Sequence, residues 1–149
     1  MTAYGSKDIK NSGNCKEKKA CGFYFDPGYA TAISENFYGV GPGKGAGPAC
    51  GRCYQLIARW DSSGNKLYNT KPIVVRANDL CPATPGGHDV CSIWDGGTNT
   101  FGAVVNFDLC MDTGANWAVY APCNIGMAVG WAIDISCSKW WGTQIGTGW

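Results

Sequence analysis

The chain has 149 residues, a net charge of +1 and only 15% charged residues. One domain of ordinary core size accounts for that length, and the charge gives no reason to expect nucleic acid or an anionic membrane as partner. No apolar run approaches the length of a membrane span, and Met1 leads straight into polar sequence, as expected of a mature form.

Nine cysteines in so short a chain point to an oxidising compartment, so the protein is expected to be secreted and extracellular. Eight can form four bridges, each contributing roughly 2–4 kcal/mol, and one is left over. Cys50-Gly51-Arg52-Cys53 has the form of a redox pair, but it follows a Gly/Pro loop and no βαβ pattern surrounds it. Zinc would want a second such pair or nearby histidines, and His88 is the single histidine.

In chain order, Thr2-Ala3-Tyr4-Gly5 reads as a short strand, followed by a polar, Lys-rich loop to Cys21. From Gly28 to Tyr38, the residues Tyr29, Ala32, Ile33, Asn36 and Phe37 mark one face at helical spacing, which predicts the only helix. Asp26-Pro27 would open it and Gly39 would stop it. A Gly/Pro-rich loop leads to Arg52–Trp60, where Cys53, Gln55 and Ile57 alternate with Tyr54, Leu56 and Ala58 as in a strand. The turn at residues 61–65 predicts a hairpin returning through Leu67 and Tyr68. Ile73-Val74-Val75 marks a buried strand from Lys71 to Asn78, and residues 83–100 form a Gly-rich loop carrying Trp94. Trp117–Ala121 and Gly130–Cys137 read as further strands, with Trp60 and Trp131 expected in the core. The count predicts an all-β fold of about six strands, one short helix and long disulfide-tied loops, in a single domain over residues 1–149.

The stretch that organises these elements is Gly102 to Cys110. Ala103, Val105 and Phe107 fall on one side and Val104, Asn106 and Asp108 on the other, the period of a half-buried strand. It delivers a carboxylate, Asp108, at its end beside a cysteine. A rigid strand holds such a group in place, which suits a catalytic acid.

Four motifs occur in order: Gly45-Ala46-Gly47-Pro48-Ala49-Cys50-Gly51-Arg52-Cys53-Tyr54-Gln55-Leu56, Val74-Val75-Arg76-Ala77-Asn78-Asp79-Leu80-Cys81-Pro82, Thr98-Asn99-Thr100-Phe101-Gly102 and Asn106-Phe107-Asp108-Leu109-Cys110. Thr2-Ala3-Tyr4 and Ser136-Cys137-Ser138 flank them. Together they resemble glycoside hydrolase family 45 endoglucanases, particularly the fungal subfamily C type, which are relatives of expansins and loosenins. The resemblance covers nearly the whole chain. It implies a six-stranded double-psi β-barrel with an open groove for a β-1,4-glucan chain.

Carried over residue by residue, the resemblance places Asp108 at the family's general acid, with Asn106 where the family has His. Asp79 falls on the acid of the Asp-Leu-Cys-Pro motif, and Asn99 on an Asn near the catalytic centre. The base is open. Ser6 stands where subfamily A has its base Asp, and the loop Asn of subfamily C aligns with Gly87, or with His88 if the gap moves. Asn99 in an imidic-acid form, His88, Asp89 and Asp95 are the alternatives. The subfamily C pattern has counterparts for every cysteine but Cys123, which is therefore the expected free thiol. Sugar faces are apolar and stack on aromatics, so Tyr4, Trp94 and Trp117 are expected glucan contacts. Thr2, Asn106 and His88 join them as substrate-binding candidates. No cofactor or metal is required by this chemistry, and a monomer is expected.

Two functions are implied. One is an inverting endo-β-1,4-glucanase acting on cellulose, mixed-linkage glucan or glucomannan. The other is a non-hydrolytic, expansin- or loosenin-like protein that binds and loosens glucan chains.

Overall fold

A computed structural model describes residues 1–8, 13–17, 19–84, 90–93 and 96–146. In chain order the elements are β1 (Thr2–Tyr4), β2 (Tyr24–Phe25), β3 (Ala30–Ser34), the one-turn helix α1 (Glu35–Tyr38), β4 (Cys53–Asp61), β5 (Ile73–Cys81), β6 (Phe107–Cys110), α2 (Ala115–Tyr120), β7 (Ala128–Ile135) and β8 (Gln144–Ile145). Six of the strands make one sheet in the order β1-β6-β3-β5-β4-β7, and β2 pairs with β8 in a separate ribbon. The pairings β1–β6 and β3–β5 are parallel, and the other three are antiparallel.

Alternation explains the long strands. In β4, Tyr54, Leu56 and Ala58 are buried while the residues between them are less so, and β5 sends Ile73, Val75 and Ala77 to the same core. Burying each large apolar side chain stabilises the fold by roughly 1.5–3 kcal/mol. The Tyr54 and Phe107 rings meet edge to face at 5.1 Å, which joins β4 to β6 across the core. At the other end Trp140 packs on Phe25 at 4.8 Å, and the Arg76 guanidinium lies 5.3 Å from both rings.

Several expectations are corrected. The helix expected over Gly28–Tyr38 is mostly strand: Ala30–Ser34 is β3, and only Glu35–Tyr38 is helical. β3 lies between β5 and β6 with all five residues buried. A strand covered on both faces loses the period of two and imitates a helix face. Gly39 does end the helix, at φ 95°, with its N–H donated to the Glu35 carbonyl. Trp117–Ala121 is not a strand but falls mainly in α2. The strand expected from Gly102 begins only at Phe107, and the return at Leu67 is one hydrogen bond from its N–H to the Arg59 carbonyl beside an isolated Trp60–Lys66 bridge. Trp131 is 60% exposed rather than buried, because β7 is an end strand whose outer face is uncovered.

Among the described residues no strand ladder closes the sheet into the expected barrel. Its end strands β1 and β7 meet where Met1 and Ala128 exchange two backbone hydrogen bonds, the Met1 amino group donating to the Ala128 carbonyl at 2.8 Å and the Ala128 N–H to the Met1 carbonyl at 3.1 Å. A three-residue β1 is too short to extend that contact into a ladder.

Four disulfides tie the loops: Cys15–Cys110, Cys21–Cys50, Cys53–Cys137 and Cys81–Cys91. Cys123 is free, as expected.

Candidate active site

Parallel pairing of β1 with β6 sets Thr2 directly beside Asp108. The Thr2 hydroxyl donates to Asp108 Oδ1 at 2.6 Å and accepts from Asn106 Nδ2 at 2.7 Å. Because the hydroxyl has one proton and the amide donor occupies a lone pair, that proton is directed at the carboxyl group. Asn106 is itself immobilised. It is 1% exposed, its N–H donates to Ser34 Oγ at 2.9 Å, and its carbonyl accepts from the Ser34 N–H at 3.0 Å.

The other oxygen of Asp108 faces sulfur. Cys81 Sγ lies 3.7 Å from Oδ2, and Cys91 Sγ lies 3.3 Å from Asn106 Nδ2, so the disulfide forms an apolar wall behind the pair. Burial pushes the Asp108 carboxyl up to about 6. The Thr2 hydrogen bond and the charge of the Met1 amino group oppose this, and the charges of Asp8 and Asp79 reinforce it.

Asp79 reaches the same neighbourhood through a bulge. β3 and β5 pair Thr31 with Ala77 and then Ala32 with Asp79, so Asn78 is skipped and Asp79 takes the position opposite Ala32. Ala32 also pairs with Asp108 on its other side. Asp79 Oδ1 accepts from the Ala20 and Leu80 N–H groups at 3.0 and 2.9 Å. Burial raises its carboxyl despite these bonds. The Tyr4 ring is 8% exposed and sits in the core. Its hydroxyl faces the Asp79 carboxylate without a well-formed hydrogen bond, and burial, followed by the charges of Asp79 and Asp108, pushes it well up.

Asn99 is a loop clamp. Its Oδ1 accepts from the Phe101 and Ala103 N–H groups at 3.0 and 3.1 Å, and its Nδ2 donates to the Val90 carbonyl at 3.1 Å. Two donors aimed at Oδ1 hold the amide tautomer, since an imidic O–H would point a proton at them. The imidic-acid role expected for Asn99 is therefore disfavoured by its surroundings.

Ser6 is also occupied. Its N–H donates to Asp112 Oδ2 at 3.0 Å and its hydroxyl to Asp112 Oδ1, while the Cys15 N–H reaches Oδ2 at 3.0 Å. Burial raises the Asp112 carboxyl, but the donors from Ser6 and Cys15 outweigh it and hold the group below its usual value. Gly5 makes this approach possible: at φ 146°, a Cβ there would come within 2.7 Å of Asp112 Oδ2. Cys15, Cys110 and Asp112 are the one close grouping of metal-ligand types among the described residues, and both sulfurs are bonded to each other.

Two depressions lie on either side of β1. Thr2 lines one of about 400 Å³, together with Asn106, Asn99, Phe101, Trp60 and Trp131. Ala3, the next residue, lines another of about 410 Å³, together with Lys7, Asp8, Asn116, Trp117 and Tyr120. The Tyr120 hydroxyl is buried with no hydrogen-bond partner among the described residues, and burial, then the Asp108 charge, pushes it far up.

This arrangement has counterparts elsewhere. Residues 1–142 match the family model described as EXPB1-like domain 1. The chain belongs to the EXPB1-like domain 1 family. No curated protein sequence matches it. Among solved structures, it is similar to the GH45 endoglucanase EG27II in complex with cellobiose, at 22% identity and a TM-score of 0.63, covering 91% of this chain and 78% of that one. An aspartate-to-alanine variant of EG27II with cellobiose matches at 23% identity and a TM-score of 0.64, covering 91% and 79%. The endoglucanase Cel45A from the blue mussel Mytilus edulis matches at 20% identity and a TM-score of 0.65, covering 92% and 77%. At these identities the likeness is one of fold, and it agrees with the resemblance read from the motifs.

In this EXPB1-like domain, the structure brings Thr2, Asn106, Asp108 and Asp79 together, with Tyr4 behind them. Asn99 lines the depression that carries Trp131, and Trp117, 71% exposed on α2, lines the other. His88 and Trp94, with Gly87, Asp89 and Asp95, lie outside the described residues. Asp8, Asp112 and Tyr120 were not singled out by sequence. Asp112 had a signal in its position two residues beyond the Cys110 that ends β6. Asp8 had one in the Gly-Ser-Lys-Asp turn that follows β1. Tyr120 had none, because its stretch reads as a strand.

Proposed function

We propose that the protein is a secreted, monomeric endo-β-1,4-glucanase that cuts internal bonds of cellulose and related β-glucans with inversion. The observation that carries this reading is Asp108. It is a carboxyl group raised to about 6 and held by one directed hydrogen bond from Thr2, which lines the depression that carries Trp131, while the next residue, Ala3, lines the one that carries Trp117. A group with that value keeps enough proton near pH 6 to protonate a departing glycosidic oxygen. The glucan would run across β1, with pyranose faces against Trp117 on one side and Trp131 on the other. The cellobiose complexes of EG27II support a β-1,4-glucan as the ligand of this fold.

Asp79 would help keep the acid protonated, since its negative charge penalises a second one nearby. Tyr4 would shape the floor beneath both. No metal or cofactor enters the reaction.

A second reading has a specific observation in its favour. Ser6, which stands where subfamily A has its base, is tied to Asp112, and Asn99 already accepts two hydrogen bonds at Oδ1; His88, Asp89 and Asp95, the other base candidates, lie outside the described residues. The family match is to an expansin-type domain. Without a base the same groove would bind and loosen glucan chains without cutting them.

The deciding experiment measures reducing-end release from barley β-glucan and phosphoric-acid-swollen cellulose, wild type beside Asp108→Asn. The glucanase reading expects release by wild type and a loss of at least about a hundredfold in the variant. Binding and weakening of cellulose fibres with no new reducing ends would establish the loosening reading instead.

A further inference from the structure

We propose that the Cys81–Cys91 disulfide is a positioning group for Asp108, fixing Oδ2 as the oxygen that carries the acid's proton. The consequence for catalysis rests on the endoglucanase reading, and the placement of the proton does not. Asn106, Thr2, Asp108, Cys81 and Cys91 form a closed circuit of contacts around the carboxyl group. Asn106 Nδ2 carries two hydrogens and lies 2.7 Å from Thr2 Oγ and 3.3 Å from Cys91 Sγ. Thr2 donates to Asp108 Oδ1 at 2.6 Å, and Oδ2 meets Cys81 Sγ at 3.7 Å. One bridge therefore touches both the amide that aims Thr2 and the oxygen that Thr2 leaves alone. Strand register puts it there. Cys81 ends β5 opposite Ser34, whose hydroxyl accepts the Asn106 N–H at 2.9 Å, and Asp79 and Asp108 lie on either side of Ala32.

The circuit has a direction. A proton on Oδ1 would point at the Thr2 hydrogen, so the neutral acid carries it on Oδ2. A disulfide sulfur has lone pairs and no hydrogen. It accepts weakly from an O–H there and donates nothing to a carboxylate, which favours the protonated form. Asp112 supplies the contrast. Cys15 Sγ lies 3.0 Å from its Oδ2, but the Ser6 and Cys15 N–H groups donate to that same oxygen at 3.0 Å each. Burial raises the Asp112 carboxyl, yet these donors hold it below its usual value. Among the described residues, no N–H or O–H donates to Asp108 Oδ2. The charged groups that act on Asp108 are the Met1 amino group, Asp8 and Asp79, and the Tyr4 and Tyr120 hydroxyls feel its charge. All of these are common to the variants compared below.

In the reaction the Oδ2 proton passes to the glycosidic oxygen as the bond from that oxygen to the anomeric carbon breaks. The anion left on Asp108 keeps the Thr2 hydrogen bond at Oδ1. Sulfur is a weak acceptor, so it orients the proton without trapping it.

The test compares Cys81→Ser/Cys91→Ala with Cys81→Ala/Cys91→Ala. Both lose the same covalent tie, so a difference between them reports what position 81 offers Oδ2, a hydroxyl donor or a methyl group. The Asp108 midpoint is read by carbon NMR of protein labelled at its aspartate carboxyls, with the resonance assigned by its loss in Asp108→Asn. We expect Cys81→Ser/Cys91→Ala to titrate about 1–2 pH units below Cys81→Ala/Cys91→Ala, the size of a hydrogen bond to a charged group. Equal midpoints, or the reverse order, would overturn the assignment. A second measurement leaves the bridge intact. The infrared carbonyl stretch of protonated Asp108, read at about pH 4 as the difference from Asp108→Asn, should rise in Thr2→Val, because Oδ1 is then the carbonyl oxygen that loses its donor. No rise means that Oδ1 carries the proton, and the proposal fails even if neither double variant folds. If wild type hydrolyses cellohexaose, the alkaline limbs of kcat/KM in the double variants should follow their midpoints. Limbs that coincide while the midpoints differ would remove the bridge from the reaction. If wild type makes no reducing ends, the endoglucanase reading falls, and the titration still decides where the proton sits.

Discussion

A carboxylic acid stays protonated near neutral pH when burial penalises its anion more than hydrogen bonds favour it. At Asp108 burial outweighs the Thr2 donor and the positive Met1 amino group, and Asp8 and Asp79 add like charge, so the group rests at about 6. Activity that depends on the protonated form should therefore fall along an alkaline limb near pH 6 in kcat/KM. Replacing Thr2 by Val removes a donor that favours the anion, so the limb should move to higher pH. A limb that moves down, or does not move, would count against the Thr2–Asp108 hydrogen bond as the controlling contact. The same shift has a sign for stability. A folded value above the unfolded one, about 3.9, means that the fold binds the proton more tightly. Its stabilising contribution is complete below pH 4 and is lost as pH rises through 6. Relative to Asp108→Asn, the wild type should lose up to about 3 kcal/mol across that window, as urea midpoints at pH 4 and pH 7 would measure.

Elements were legible in the sequence where one face is buried and one is not. β4 and β5 announced themselves by alternation, and the Thr2, Asp79 and Asp108 positions followed from motifs that sit on strands. β3 was not legible, since a central strand buried on both faces carries no period of two. The register shift that places Asp79 opposite Ala32 leaves no mark in the residues, and α2 has too few residues for a helical period to show. The loop before β6 was misread as strand because Ala103, Val104 and Val105 are β-like in type. Their backbone is instead organised around Asn99, whose side chain makes three hydrogen bonds to it and to Val90. At about 1 kcal/mol for each bond, Asn99→Ala should destabilise the protein by about 2–3 kcal/mol in urea titration. A variant with unchanged stability and abolished turnover would return Asn99 to the role of base.

For the whole molecule, the open sheet leaves β1 and β7 as its two ends, and the depression between them is lined from both. Thr2 lines that space and Ala3 the one beside α2, so a chain long enough to cross β1 would touch Trp131 at one end and Trp117 at the other. Both rings are more than half exposed, so their removal should not disturb the core. Covering such a face with a sugar ring removes tens of Å² of apolar surface from water, about 1–2 kcal/mol, or roughly five- to thirtyfold in Kd. On this path a cellohexaose that crosses β1 meets both rings, and a cellotriose seated in one depression meets one. Trp117→Ala and Trp131→Ala should each weaken cellohexaose by that factor in calorimetric titration, while one of the two leaves cellotriose affinity unchanged. If neither variant alters cellohexaose affinity, the glucan does not follow this path. If both weaken cellotriose equally, the two rings serve a single short site, and the sheet's open edge has no part in chain binding.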